Sequence, residues 1–283
     1  MGKTKVWFIT GASRGFGFEI AKAVLETGDK VVATVRSKPE HLLNLLNNDE
    51  NLLVTVLDVT DTNLVKTSVR AALDTFGSID VLVNNAGYGL LGGIEEASDE
   101  EVRQNYETNV FGLLNVTREI LPHMRQQQSG HIINLSSVGG LSGFPGWGLY
   151  CSTKFAVEGI TESMALELAP LGIHATAVEP GFFRTDFLDS SSLTTTQNII
   201  ADYADTAGEM RGQMAQANKK QPGSPEKLAQ AFIKLANCER PPVHLMLGKD
   251  TLAIFREKTA TIEKEIEKWQ AVITGTDHDD VVT

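Results

Sequence analysis

Residues 5–28 read KVWFITGASRGFGFEIAKAVLETG. The opening KVWFIT (5–10) is apolar and β-branched without polar alternation, the pattern of a short strand buried on both faces. The closing GFEIAKAVLETG (17–28) carries apolar residues at helical spacing and stops on a glycine, as many helices do. Between them lies TGASRGFG (10–17), whose Gly11, Gly15 and Gly17 permit backbone angles closed to other residues and let an anion approach the main chain. A helix N-terminus presents unpaired N–H groups. Strand, glycine turn and helix therefore predict a cradle for a dinucleotide pyrophosphate, built from Gly11, Ser13, Arg14, Gly15, Phe16 and Gly17.

The same rhythm runs outward along the chain. Further strand-like runs are KVVATV (30–35), NLLVTVLD (51–58), IDVLVNNAG (79–87), HIINLSS (131–137), GIHATAVEPG (172–181) and PVHLMLG (242–248). Helical patterns such as LVKTSVRAALDTFG (64–77) and the long DEEVRQNYETNVFGLLNVTREILPHMRQQ (99–127) fill the gaps. Strands alternating with helices imply one α/β domain spanning residues 1–283: a doubly wound parallel sheet of about seven strands with helices on both faces. Ligands are expected at the carboxyl ends of its strands. Residues 183–222 break the rhythm: they are polar, rich in Ser and Thr, and predict a mobile excursion that acts as a lid. Residues 249–283 predict a charged helix followed by a frayed tail.

Composition narrows the function classes. With 283 residues, 42% hydrophobic and 22% charged, the chain is that of a soluble globular protein with a real core. A net charge of −11 argues against nucleic acid or an anionic membrane as partner, because those need clustered Lys and Arg. No run approaches the roughly 18 apolar residues of a membrane helix, and VWFI is too short for an export signal. Cys151 and Cys238 lie far apart and outside any metal-ligand pattern, so neither a metal nor a disulfide is expected, and a reducing cytoplasm fits best. His41, His123, His131, His174 and His244 are scattered without ligand spacing and receive no role. Cys151 reads as a packing residue rather than a nucleophile.

The second strand selects the dinucleotide. An acidic residue at its end would bind the ribose 2′-hydroxyl of NAD. This chain has Val35 and Arg36 there, and Arg14 lies within the glycine turn. Two guanidinium groups converging near the ribose suit a 2′-phosphate, so NADP(H) is favoured over NAD(H).

One further pair stands out: in LYCSTKF (149–155), Tyr150 and Lys154 are four residues apart and share a helix face. A phenol titrates near pH 10, and a neighbouring ammonium favours its ionised form, so such a pair can trade a proton. Together these segments resemble the short-chain dehydrogenases/reductases over about residues 4–248. TGASRGFG resembles the family's cofactor turn; Asp58 and Val59 resemble its adenine-contacting pair; Asn84-Asn85-Ala86-Gly87 resembles its NNAG motif. Asn109 lies where the family places a catalytic asparagine. Ser137 precedes Tyr150 by thirteen residues, Tyr150 and Lys154 match the active-site motif, and Pro180, Gly181 and Thr185, with Phe183 between, resemble the segment that holds the nicotinamide.

The resemblance implies a single Rossmann-type domain and a reversible hydride transfer to a carbonyl, with Tyr150 as proton donor. It implies that Lys154 lowers the tyrosine pKa and holds the nicotinamide ribose, that Ser137 holds the carbonyl oxygen, and that Asn109 anchors a water feeding Lys154. It also implies a homodimer or homotetramer, paired through helical faces near residues 100–127 and 150–170.

Candidate pocket walls are residues 138–147, Gly181 to Phe183, Tyr88 to Ile94 and the lid, and they are mostly apolar. They favour a small hydrophobic ketone, aldehyde or secondary alcohol, as in carbonyl reductases and hydroxysteroid dehydrogenases. Oxidation of a steroid- or retinoid-like alcohol remains the alternative, and a non-catalytic NADP(H) sensor a more distant one.

Overall fold

The computed structural model describes residues 4–278. Its main sheet is formed by β1 (Val6–Ile9), β2 (Lys30–Val35), β3 (Leu52–Val56), β4 (Val81–Asn84), β6 (Gly130–Leu135), β7 (Ile173–Pro180) and β9 (His244–Leu247), in the order β3-β2-β1-β4-β6-β7-β9. Every neighbouring pair is parallel. These are the seven apolar runs of the sequence. The reason they lack alternation is visible in β1: Trp7 and Ile9 enter one core with α1 (Gly15–Glu26) and α9 (Pro225–Ala236), while Val6 and Phe8 enter the other. That second core holds α3 (Thr62–Phe76), α5 (Leu113–Gln127) and α7 (Gly148–Leu168). Each such side chain taken fully out of water contributes roughly 1.5–3 kcal/mol.

The strand order reverses direction between β1 and β4, where the chain first leads outward to β2 and later returns on the other side. The carboxyl ends part there and leave a crevice. The remaining helices are α2 (Pro39–Leu45), α4 (Asp99–Tyr106), the short α6 (Val138–Leu141), α8 (Glu209–Ala217) and α10 (Lys249–Ile273). No helix among the described residues is long and apolar enough to cross a membrane.

Three features depart from expectation. The long helix of 99–127 is not continuous: after α4, which starts in a Ser98/Glu101 capping box, a π-helical stretch spans Glu107–Gly112 before α5. The excursion 183–222 is built into the fold. Its β8 (Leu193–Thr195) pairs in parallel with β5 (Gly89–Leu91), and its Arg211 forms a buried ion pair with Glu96 at 2.6 Å. Third, the helix continues to Ile273 and a 3₁₀ turn covers Thr274–Thr276, where the frayed tail was expected. Its last residues, 279–283, lie outside the described residues.

Candidate active site

The carboxyl ends of the strands and the excursion enclose a cleft of about 960 Å³. That lies near the top of the usual range for ligand pockets, roughly 300–1,000 Å³. One end is the glycine turn. Gly11 and Gly15 sit at φ of +66° and +57°, which L side chains rarely adopt, and Gly11 packs so closely on Ala86 that a Cβ would approach its Cα to 3.1 Å. Helix α1 has no side-chain cap at Arg14, so its first N–H groups are left for a ligand at the cleft end where Ser13, Gly15 and Phe16 line the wall. Asn85 braces this turn: its Nδ2 donates to the carbonyls of Thr10 (2.8 Å) and Gly11 (3.0 Å). Thr10 completes the brace, its Oγ1 accepting from the N–H of Asn85 and of Ala86. Thr10 was not singled out from the sequence, although it opens the quoted turn. Gly17 does not line the cleft. A Cβ on it would fall 2.6 Å from both Asn85 Nδ2 and the Gly11 carbonyl, so its smallness lets helix and turn close on each other.

Farther along the wall lie Arg36, Asp58, Val59, Ala86 and Gly87. Asp58 Oδ1 accepts from Thr60 N (3.0 Å) and Thr60 Oγ1 (2.8 Å), which fixes the loop after β3. Arg36 is exposed at the end of β2. Arg14 behaves differently from expectation: rather than converging with Arg36, its Nη2 donates to the Ser191 carbonyl (2.5 Å) and Ser192 Oγ (2.7 Å). It ties the glycine turn to the excursion. On the opposite wall are Pro180, Gly181, Phe183 and Thr185, with Phe183 edge-on to Phe16 at 5.4 Å. Gly181 is forced by α10, since a Cβ there would meet the Asp250 carboxylate at 2.3 Å.

At the centre, Ser137 lies two residues past the end of β6, α7 carries Tyr150 and Lys154, and all three face the cleft. Ser137 caps α6, accepting from Gly139 N at 3.0 Å. Burial pushes the Tyr150 phenol well above its ordinary value, and the hydrogen bond with Ser137 partly opposes this. Lys154 follows one turn along α7. Its Nζ donates to the Leu135 carbonyl at 2.7 Å and lies 5.8 Å from the Tyr150 ring centroid. Burial pushes the Lys154 ammonium down to about 8, opposed by the Glu158 carboxylate. Burial thus favours the neutral phenol. Cys151, buried beside it, is pushed up to about 11 by the same burial, which keeps it a thiol.

Asn109 sits in the π-helical stretch, behind the cleft wall rather than on it. Its Oδ1 accepts from Tyr88 N (3.0 Å), and its Nδ2 donates to the Tyr88 carbonyl (2.9 Å) and Thr153 Oγ1 (3.1 Å). Both Nδ2 hydrogens are thereby engaged by protein, while Oδ1 keeps one acceptor position. Gly112 ends the stretch against Val59, where a Cβ would come within 2.4 Å of Cγ2.

An apolar cluster closes the cleft over Tyr150. Trp147 and Phe187 lie with ring centroids each 5.6 Å from the tyrosine ring, joined by Leu91, Leu193, Met210 and Met214. Ile94, expected in this wall, is instead 72% exposed. An uncapped helix N-terminus, a braced glycine turn and a cleft long enough to carry it to Tyr150 fit a bound dinucleotide.

The comparisons agree with this geometry. The chain is 39% identical over 269 residues to Oxidoreductase BOA17 of Botryotinia fuckeliana, covering 94% of this chain and 97% of that protein. It is 36% identical to a 3-ketodihydrosphingosine reductase of Bacteroides thetaiotaomicron, covering 89% and 90%. Among solved structures, a short-chain dehydrogenase from Streptomyces avermitilis superposes with a TM-score of 0.90 at 37% identity, covering 98% of this chain and all of that one. A Burkholderia phymatum homologue in complex with NAD has a TM-score of 0.83 at 25% identity over 93% and 95% of the two chains. ElxO with NADP bound gives 0.74 at 31% over 89% and 100%. A nicotinamide cofactor is therefore supported. With residues 5–196 matching the family described as short chain dehydrogenase, the chain belongs to that family of NAD(P)-dependent oxidoreductases acting on CH–OH and C=O groups.

Proposed function

We propose that this enzyme reduces an uncharged, hydrophobic ketone or aldehyde to the alcohol with NADPH, Tyr150 supplying the proton. The observation that carries this reading is a buried Tyr150 hydroxyl beside Ser137, under a roof of Trp147 and Phe187, in the cleft that begins at the glycine turn. NADPH, when bound, supplies a hydride at C4 of its nicotinamide. Ser137 and Tyr150 place two donors where negative charge develops on a carbonyl oxygen, and the aromatic roof excludes water. Lys154, still mostly protonated at neutral pH, offers donors to the ribose and a positive charge behind the phenol. Asn109 fixes the Tyr88 backbone and, through Thr153, the turn of α7 that carries this pair. The excursion acts as lid, with Arg14 as one of its ties. The exposed Phe111 of the π-helical stretch, with Phe155 and Leu166 of α7, supports pairing of copies through these faces, as homodimer or homotetramer.

The apolar roof supports a hydrophobic substrate, and one relative is named as the reductase of a keto compound. Preference for NADPH rests on Arg36, exposed beside the cleft with no acidic residue at the end of β2. Arg36→Asp is expected to weaken NADPH by at least tenfold, as loss of a charge-assisted contact does, and to leave NADH equal or better. Initial rates with both cofactors across a panel of apolar ketones test the reading: an unchanged cofactor ratio in the variant makes Arg36 a solvated bystander. Turnover with charged hydroxy acids alone would overturn the substrate class.

A further inference from the structure

Helix α7 does not stop being chemical at Lys154. Tyr150, Lys154, Glu158 and Glu162 follow at four-residue intervals, so one stripe runs from the cleft to the far end of the helix. Glu158 is only 6% exposed, as is Lys154. Facing the stripe from the sheet are Glu179 of β7, wholly buried, and His244 of β9, at the solvent edge. His244 Nδ1 lies 2.9 Å from Glu179 Oε1 and 3.4 Å from Glu158 Oε2, and its Nε2 lies 3.4 Å from Glu162 Oε1. From α10, Lys258 is engaged elsewhere, donating to the Leu141 carbonyl and standing over the Phe155 ring at 4.7 Å.

Neither Glu158 oxygen accepts a well-formed hydrogen bond, and the Ser136 hydroxyl beside them is also without one. Gly140 keeps this space narrow, because a Cβ there would lie 2.5 Å from Ser136 Oγ and 2.8 Å from Glu158 Oε1. A buried carboxylate with one poorly aligned hydroxyl beside it is costly unless a cation stands near. Two basic groups flank it: Lys154 one turn back and His244 across the sheet edge. Burial pushes both carboxyls up, Glu179 to about 7, and the Ser136 hydroxyl first, then the His244 and Lys154 charges, pull Glu158 back down.

We propose that Glu158 is a positioning residue for the reaction: from the rear of the site its carboxylate keeps Lys154 protonated, and His244 with Glu179 completes its charge balance at the solvent edge. The inference rests on the reading of Lys154 given above. Removing a negative neighbour disfavours an ammonium, so the sign is fixed: without Glu158 the lysine loses its proton at lower pH. In the full chain without cofactor, carbon-13 labelling of lysine Cε allows the Lys154 titration to be followed by NMR, with Lys154→Met assigning the signal. Glu158→Gln is expected to lower that pKa by about one unit, the smaller end of a close charge pair. The alkaline limb of kcat against pH for NADPH-dependent ketone reduction should move down with it, whereas KM for ketone stays near its original value. His244→Gln removes the imidazole while both carboxylates stay in place, and leaves the Lys154 titration at or above its original position.

An unchanged Lys154 titration in Glu158→Gln overturns the proposal. So does an equal downward shift in His244→Gln, which would report disturbed packing rather than charge. A titration that moves only when Mn²⁺ or Zn²⁺ is added to chelator-treated protein would also overturn it, assigning Glu158, Glu179 and His244 to a bound cation, since their ligand atoms lie within 4.8 Å of one another. Because the NMR arm needs no turnover, its failure is separate from failure of the proposed activity, which would appear as an inactive unmodified enzyme at every pH.

Discussion

Tyr150→Phe is expected to lower kcat for ketone reduction by two to four orders of magnitude while NADPH still binds with nearly its original affinity. The ring is 7% exposed and packs at 5.6 Å against both Trp147 and Phe187, contacts that phenylalanine keeps. Only the hydroxyl goes. With it goes the proposed proton donor, and general acid catalysis contributes about 10²–10⁴-fold. The substitution also releases Ser137, whose hydroxyl retains its bond to Gly139 N, so α6 keeps its cap and the fold should not suffer. Fluorescence titration with NADPH separates the two effects. Retained turnover would remove Tyr150 from the chemistry, and loss of both turnover and binding would make it a structural residue of the cofactor cleft.

Arg211→Ala is expected to detach the excursion at a cost of about 3–5 kcal/mol, the scale for removing one partner of a buried ion pair. The Glu96 side chain is wholly buried and that of Arg211 is 15% exposed. Glu96 takes two guanidinium contacts, at 2.6 and 3.2 Å, and also accepts from Gly93 N and Ile200 N. Arg211, the largest influence, holds the Glu96 carboxyl down at about 2. A depressed carboxyl stabilises above its unfolded value, near 4.3, and that contribution fades as pH falls from there toward 2. The original protein should therefore hold its excursion at pH 5 and release it on acidification, whereas Arg211→Ala should release it already at neutral pH. Limited proteolysis reads this as cleavage within 183–222 and survival of the remainder, with a raised KM for ketone. Identical cleavage rates in both proteins would show that β5–β8 pairing alone holds the segment.

What could be read from residues alone follows from how locally each feature is encoded. The seven strands were legible because a strand buried on two faces must be apolar at every position, as Val6 to Ile9 are. The glycine turn was legible because its backbone angles exclude other residues at Gly11 and Gly15. Pairing of β5 with β8 was not, since three residues of each carry no pattern and their partners are a hundred positions apart. The π-helical stretch hides inside a sequence with ordinary helical spacing.

Residue types also left charge partners open. Arg14 in a glycine turn reads as a phosphate ligand, yet its guanidinium is held by Ser191 and Ser192, which only folding of the excursion brings near. Gly17 was read as touching the cofactor, and it instead separates two pieces of backbone. The sequence pairs Lys154 with Tyr150 at four residues. Extending that interval once more reaches Glu158, but its burial and its neighbours Glu179 and His244 come from two other strands.

The central claim is that hydride reaches a substrate carbonyl carbon in this cleft while Tyr150 delivers the proton. The most direct measurement uses NADPH deuterated at the transferable C4 position, an apolar ketone and mass analysis of the alcohol, with Tyr150→Phe in parallel. The account predicts one deuterium on the carbinol carbon, formed faster with NADPH than with NADH, and label reduced at least a hundredfold in the variant. Unlabelled alcohol, or tight NADPH binding with no labelled product from any ketone, would contradict it.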